Sequence, residues 1–202
     1  MRPDLGAVPA GESTDAALAL RAGAGEQAAF ALLMRRHKGW LHRFIRRHVS
    51  EPEEAYDLLQ ESFTSAWTAI ARYDPERPFH VWLRRIALNK CRDRARRAMV
   101  RRTLFGLAGP AFKPLDVVDP AARPDAAAET SETMRKLEAA IASLPAQLRE
   151  PLILTALEGL SQKEAGDVLG INAKAVETRV YRAKKQLAAV LDRSDLDDVR
   201  EG

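Results

Sequence analysis

The sequence predicts an all-α protein made of two small helical domains joined by a flexible linker. Three observations predict it. Apolar residues recur at helical spacing through most of the 202 residues, and no stretch shows the alternation of a half-buried strand. Two modules flank an acidic, Pro- and Gly-rich stretch: residues 30–102 carry 17 Lys and Arg against 8 Asp and Glu, whereas residues 104–134 carry 2 against 5. Two capping boxes, Ser50 with Glu53 and Ser161 with Glu164, mark helix starts, one in each module.

Residues 1–25 are rich in Ala, Gly and Pro and read as a mobile N-terminal tail, with a short helix over 15–21. The first domain spans 26–102. Phe30, Leu33, Met34, Trp40, Leu41, Phe44 and Ile45 form one apolar stripe, and Arg35, Arg36, Lys38, Arg43, Arg46 and Arg47 fill the other face. That pattern fits one long helix or two segments. Pro52 in a first turn opens the next helix, which buries Ala55, Leu59, Phe63, Ala66 and Ile70 with Leu58 and Trp67 flanking. Its other face presents Asp57, Gln60, Glu61, Thr64 and Thr68. Pro75 and Pro78 break the chain, and Phe79, Trp82, Leu83, Ile86 and Ala87 begin a third helix that ends in a basic run over 90–102.

Residues 103–130 lack helical periodicity and read as an acidic, flexible linker. The second domain spans 131–191. Met134, Leu137, Ala140, Ile141 and Leu144 are spaced for one helix. Pro145 starts the next, holding Leu148, Leu152, Leu154 and Leu157; Pro151 removes one backbone hydrogen bond and predicts a shifted start or a kink. The last eleven residues, 192–202, form an acidic tail expected to fray.

Between these lies the most informative stretch, 161–187. Ser161 and Glu164 cap one helix, Gly170 can stop it in a left-handed conformation, and Asn172 caps a second. Val176, Val180, Ala183 and Leu187 give that second helix an apolar stripe. Gly166 sits in mid-helix, where glycine is costly unless backbone must approach closely. Lys174, Thr178, Arg182 and Lys185 line the opposite face. This is a helix-turn-helix whose second helix can enter a DNA major groove; the plain alternative is a helical hairpin with a solvated basic face.

Composition excludes several function classes. Cys91 is the only cysteine, so no intrachain disulfide forms and a cytoplasmic setting is expected. No apolar run reaches membrane-spanning length, and no signal peptide is visible. His37, His42, His48 and His80 lack partners at metal-ligand spacing, and there is no Gly-rich phosphate loop or nucleophile motif. No enzymatic activity, cofactor, metal or small-molecule substrate is expected.

Several motifs stand together in order: Asp57-Leu58-Leu59-Gln60-Glu61 before Phe63 and Trp67; Tyr73-Asp74-Pro75 before Phe79 and Trp82-Leu83; Asn89 and Asp93; Leu144-Pro145; and Glu158-Gly159-Leu160-Ser161 through Arg182-Ala183. With these the chain resembles a bacterial RNA polymerase sigma factor of the extracytoplasmic-function (ECF) group of the sigma-70 family. The resemblance implies that 26–102 is region 2, which binds core polymerase and recognises and melts the −10 element. It implies that 131–191 is region 4, which reads the −35 element. It places Asp57, Gln60 and Glu61 against a coiled coil of the largest polymerase subunit. An acidic and amide face on an otherwise basic module suits an Arg-bearing helix.

The resemblance also implies −10 contacts from Tyr73, Phe79, His80, Trp82, Arg84, Arg85, Asn89 and Lys90, since unwound DNA offers bases to stack and phosphates to pair. Burial in the core is the competing reading for Phe79 and Trp82, and the stronger one for Trp82. At the −35 element it implies base contacts from Thr178, Tyr181 and Arg182, with Lys174, Arg179 and Lys185 on phosphates. Pro78 and Glu177 depart from the family's usual residues. Glu177 either alters specificity or points aside and pairs with Lys174 or Arg179. The linker would correspond to the segment that threads the polymerase active channel, although a generic tether explains its composition equally well. An anti-sigma factor is the expected regulator. A free-standing helix-turn-helix repressor or activator, and a basic helical scaffold for RNA, are the rival readings.

Overall fold

The computed structural model describes residues 13–49, 51–104, 134 and 136–201. Its first helix, α1 (Asp15–Gly23), starts where the Thr14 hydroxyl accepts the Ala17 amide hydrogen at 3.2 Å. Leu18, Ala19 and Ala22 are fully buried, so the expectation of a mobile tail through residue 25 is corrected from Thr14 onward. Three small or apolar residues on one helical face are enough to dock so short a helix. Asp15 adds polar ties, 3.0 Å to Arg36 and 2.8 Å to the His37 ring.

One long helix, α2 (Gln27–Arg46), resolves the open alternative for the next segment. The third helix, α3 (Pro52–Ala69), has Glu51 at its N-cap with no side-chain cap bond, while Ser50 lies outside the described residues. Its start rests on Pro52 and on Glu53 and Glu54, whose charges suit the positive end of the helix dipole. A 3₁₀ turn (Ile70–Arg72) leads into the Pro75/Pro78 loop, braced by the Tyr73 hydroxyl donating to the Arg77 carbonyl at 2.5 Å. Then α4 (Phe79–Leu104) runs for 26 residues. Thr103 and Leu104 therefore belong to this helix and not to the linker, of which 105–130 lies outside the described residues. Leu33, Leu41, Phe44, Leu59, Phe63, Leu83 and Leu88 fill the core between α2, α3 and α4.

In the second half, residues 136–143 form helix α5, and α6 (Ala146–Leu152) follows Pro145. Pro151 cannot donate, and its consequence is a widened turn rather than a kink. Residues Ile153–Leu157 form a π turn, closed by the Glu158 amide bonding the Ile153 carbonyl at 3.0 Å. The Thr155 hydroxyl donates to the Pro151 carbonyl at 2.8 Å. Next come α7 (Gln162–Leu169) and α8 (Ala173–Glu201). The backbone of α8 stays helical through the acidic residues expected to fray. Leu144, Leu148 and Leu152 pack with Ala183 and Leu187, which fixes α6 on α8.

Among the described residues there is no strand. The two modules are docked on each other, which a flexible tether did not predict. Leu154, Leu160, Ala165, Val168 and Val176 join the same buried cluster as the core of α1–α4, and α7 lies against α4.

Candidate nucleic-acid interface

The helix-turn-helix is built by local bonds the sequence announces. Ser161 Oγ accepts the Glu164 amide at 3.2 Å, and the Glu164 carboxylate accepts the Ser161 amide at 2.9 Å. The Ser161 hydrogen bond holds the Glu164 carboxyl below its ordinary value, against burial, which raises it. Gly170 ends α7 with φ 73°. Asn172 Oδ1 then accepts the Ala175 amide at 2.7 Å and starts α8. Gly166 is required by the turn itself rather than by a crossing helix: a Cβ there would lie 2.6 Å from the Ile171 carbonyl oxygen.

Val176 and Ala183 are fully buried and Leu187 nearly so, and this orients the rest of α8 outward. Lys174, Glu177, Arg182 and Lys185 are exposed, Tyr181 is 69 % exposed, and Thr178 and Arg179 are half-exposed. The Thr178 hydroxyl turns back to the Lys174 carbonyl at 2.9 Å. Lys174 Nζ donates to Glu177 at 2.8 Å, so Glu177 occupies a lysine on this exposed side of α8. Of the seven residues expected at the −35 element, five therefore face solvent and Thr178 and Arg179 do so in part.

The residues expected at the −10 element are divided. Tyr73, Phe79 and Arg84 are buried, which for Phe79 is the competing reading of burial in the core. Phe79 sits among the rings of His37, Tyr73 and Trp82 at centroid distances of 5.1, 5.5 and 5.4 Å, because the loop must fold its apolar side chains inward to seal the core. Burial pushes the Tyr73 hydroxyl above its ordinary value. Trp82 is half-buried, not wholly so. His80 is half-buried, 3.7 Å from Glu164, and desolvation followed by Arg84 holds its ring below the ordinary value. Arg85 and Asn89 face solvent, and Lys90 lies 3.7 Å from Glu61.

Asp57, Gln60 and Glu61 are exposed on α3 and line one open depression with Thr64, Ser65 and Lys90. Beside it runs an apolar groove of about 760 Å³ between α2 and α3, lined by Phe30, Met34, Tyr56, Leu59, Phe63 and Trp67 with Arg35 and Lys38.

Between the modules lies a charge network that sequence reasoning missed. The Glu158 side chain, 6 % exposed, accepts from Arg47 and, at 2.9 Å, from Arg84. The Arg84 guanidinium lies 4.2 Å above the Trp40 ring. Trp40 donates its indole N–H to His37 Nδ1 at 2.7 Å, so His37 carries its proton on Nε2 and donates it to Asp15 at 2.8 Å. That hydrogen bond is the largest cause holding the Asp15 carboxyl below its ordinary value. Glu150, also buried, takes Arg92 in a two-bond fork at 3.0 and 2.6 Å. The only sequence signal was a pair of acids, Glu150 and Glu158, among leucines; their partners lie 58 to 111 residues away.

Among the described residues no His, Cys, Asp and Glu side chains group to hold a metal, and no helix is long and apolar enough to cross a membrane. Buried Cys91 has its thiol pushed up to about 12 by desolvation.

Residues 33–101 match the family described as Sigma-70 region 2, and residues 134–187 match Sigma-70, region 4. The chain is 39 % identical over 185 residues to RNA polymerase sigma factor CnrH of Cupriavidus metallidurans, covering 90 % of this chain and 96 % of that protein. It is 32 % identical over 197 residues to the ECF RNA polymerase sigma factor SigM of Mycobacterium tuberculosis, covering 95 % and 94 %. The solved structure of CnrH in complex with the cytosolic domain of CnrY superposes with a TM-score of 0.63 at 34 % identity, covering 89 % of this chain and 97 % of that one.

Proposed function

Since the chain belongs to the ECF group of the sigma-70 family of RNA polymerase sigma factors, we propose that its exposed faces divide the work of transcription initiation among them. The α8 surface of Lys174, Thr178, Arg179, Tyr181, Arg182 and Lys185 reads the −35 element. Tyr181 and Arg182 reach base edges, and the lysines meet phosphates. Arg85, Asn89 and Lys90 on α4 meet the −10 strand, joined by Trp82 at the edge of the aromatic cluster. The acidic face of Asp57, Gln60 and Glu61 docks on an Arg-bearing helix of the core polymerase. RNA synthesis belongs to that polymerase, so no chemical step is assigned to this chain, and its place of work is the cytoplasm.

The observation that carries this reading is the presence of both the region 2 and the region 4 module in one chain, with Lys174, Tyr181, Arg182 and Lys185 of α8 open to solvent. The acids of the linker suit a channel built for nucleic acid. CnrH binds the cytosolic domain of CnrY. By likeness, this chain takes an anti-sigma partner, and the apolar groove flanked by Arg35 and Lys38 is where an acidic amphipathic helix would bind. Run-off transcription with core polymerase tests the reading. Promoter-dependent transcripts are expected with core enzyme, together with weak DNA binding by the chain alone. Tight binding to a palindromic site without core polymerase, and no transcript with it, would overturn it in favour of a free-standing regulator.

A further inference from the structure

Two carboxylates of the second module sit on arginines of the first. Glu158 leaves the π turn beside α7 and is enclosed by Arg47 and Arg84. Glu150, on α6, holds Arg92 of α4 through both oxygens. An arginine fork binds carboxylate and phosphate by the same geometry, so a carboxylate placed there excludes a DNA phosphate. Arg84 is held from one further side: its guanidinium rests on Trp40, whose indole is fixed by His37 and, through it, Asp15. Its Nε is nonetheless buried without a hydrogen-bond partner, so the closed arrangement leaves part of this group unsatisfied.

The docked arrangement is incompatible with reading a whole promoter. Elements centred at −35 and −10 are about 25 base pairs apart, roughly 85 Å of duplex at 3.4 Å per base pair. Here α7 packs directly on α4, and His80 of α4 lies 3.7 Å from Glu164 of α7. The two readers are therefore side by side.

We propose that Glu158 and Glu150 are a two-point latch that keeps the free chain closed by occupying Arg84 and Arg92, and that opening hands these two guanidiniums to the phosphates of promoter DNA. The inference rests on the reading of the chain as a −35/−10 sigma factor. The latch withholds Arg84 and Arg92, two cations of a strongly basic α4, from DNA until the modules part. Leu154 and Leu160 supply apolar contact across the same boundary, and the carboxylates give that contact its register.

The test uses the full chain without polymerase. Fluorophores on Thr68→Cys in α3 and Gln186→Cys in α8 report the separation of the modules by energy transfer, buried Cys91 staying unlabelled. A short A/T-rich single strand carrying a dye reports DNA binding. The wild-type chain is expected to show high transfer and weak binding. Glu150→Gln with Glu158→Gln should lower transfer and tighten binding about tenfold, the change expected if the closed form is roughly nine-tenths populated. Glu51→Gln with Glu53→Gln, an equal charge change on an exposed helix start, should move neither readout. Exchanging one pair, Glu150→Arg with Arg92→Glu, should restore high transfer and guards against a variant that merely misfolds. Unchanged transfer and binding in the double glutamine variant, or an equal gain in the charge-matched control, would overturn the latch. Promoter-dependent run-off by wild-type protein with core enzyme judges the sigma-factor reading separately.

Discussion

Replacing Gly166 with Ala should destabilise the helix-turn-helix, although helix propensity alone predicts the reverse. In a helix interior Ala is favoured over Gly by about 1 kcal/mol. Against that gain stands the added Cβ, 2.6 Å from the Ile171 carbonyl oxygen. Ordinary contact begins near 3.4 Å, so the two must part by about 0.8 Å. The obstructing atom is backbone, and the turn is tied to α7 through the Gly170 and Ile171 amides, which bond the Gly166 carbonyl at 2.8 and 3.0 Å. It cannot rotate aside as a side chain would. Overpacking of this kind costs about 1–3 kcal/mol, and because the obstructing atom is backbone the upper half of that range applies, so the net loss is roughly 1–2 kcal/mol after the propensity gain. For a chain of this size each kcal/mol lowers the melting temperature by about 2–4 °C. Urea and thermal denaturation followed by circular dichroism measure it, and the turn's displacement of α8 should also weaken −35 DNA binding. A variant more stable than wild type would refute the claim that the turn's close approach requires glycine.

Other outcomes follow from the same structure. Ser161→Ala should cost about 1 kcal/mol through the lost cap. Because the Ser161 bond depresses the Glu164 carboxyl in the folded state, that carboxylate stabilises the fold above its unfolded value of about 4.5. The contribution fades as pH falls through the lower folded value, so the gap between the two proteins should narrow in acid without closing, because the Ser161 Oγ still accepts the Glu164 amide there. His48 is half-buried with its Nε2 shut off from solvent, donates from Nδ1 to the Phe44 carbonyl at 2.8 Å, and is held below its ordinary value chiefly by desolvation. The unfolded ring takes a proton near pH 6.5 while the folded one resists, so stability should drop as pH falls below about 6.5. His48→Leu should flatten that fall, as urea midpoints across the range would reveal. Glu177→Gln releases Lys174 from a 2.8 Å pair and should tighten −35 DNA binding a few-fold, with a salt dependence steeper by up to about one charge. Fluorescence anisotropy at several salt concentrations measures both, and unchanged affinity would place Glu177 off the interface.

Local chemistry was written plainly enough in the sequence to be read without coordinates. Ser161, Glu164, Gly170 and Asn172 act within three or four residues of their partners, so the helix-turn-helix and its bounds follow from short-range hydrogen bonding. The outward faces of α3 and α8 follow from the 3.6-residue period, because a regular helix carries its own geometry. Pro151 was flagged as a disturbance, and only the form was open: the chain widened into a π turn because the Glu158 amide could still reach a carbonyl five residues back. Composition failed at residues 14–25, where an Ala-rich segment resembling a tail buries Leu18, Ala19 and Ala22. Whether such a weakly apolar face docks depends on the complementary surface offered by α2, which follows directly, and by the 3₁₀ turn, which lies far along the chain.

The sequence by itself determined two helical modules, the caps of the second, and the residues that α8 turns toward solvent. Tertiary structure alone decided which of the −10 candidates are buried and that Glu158 and Glu150 meet Arg84 and Arg92 across the modules. The physical reason is distance along the chain. Periodicity and capping are fixed by neighbours a turn apart, whereas the pairing of a buried carboxylate with a guanidinium 58 or 74 residues away depends on how two finished surfaces fit.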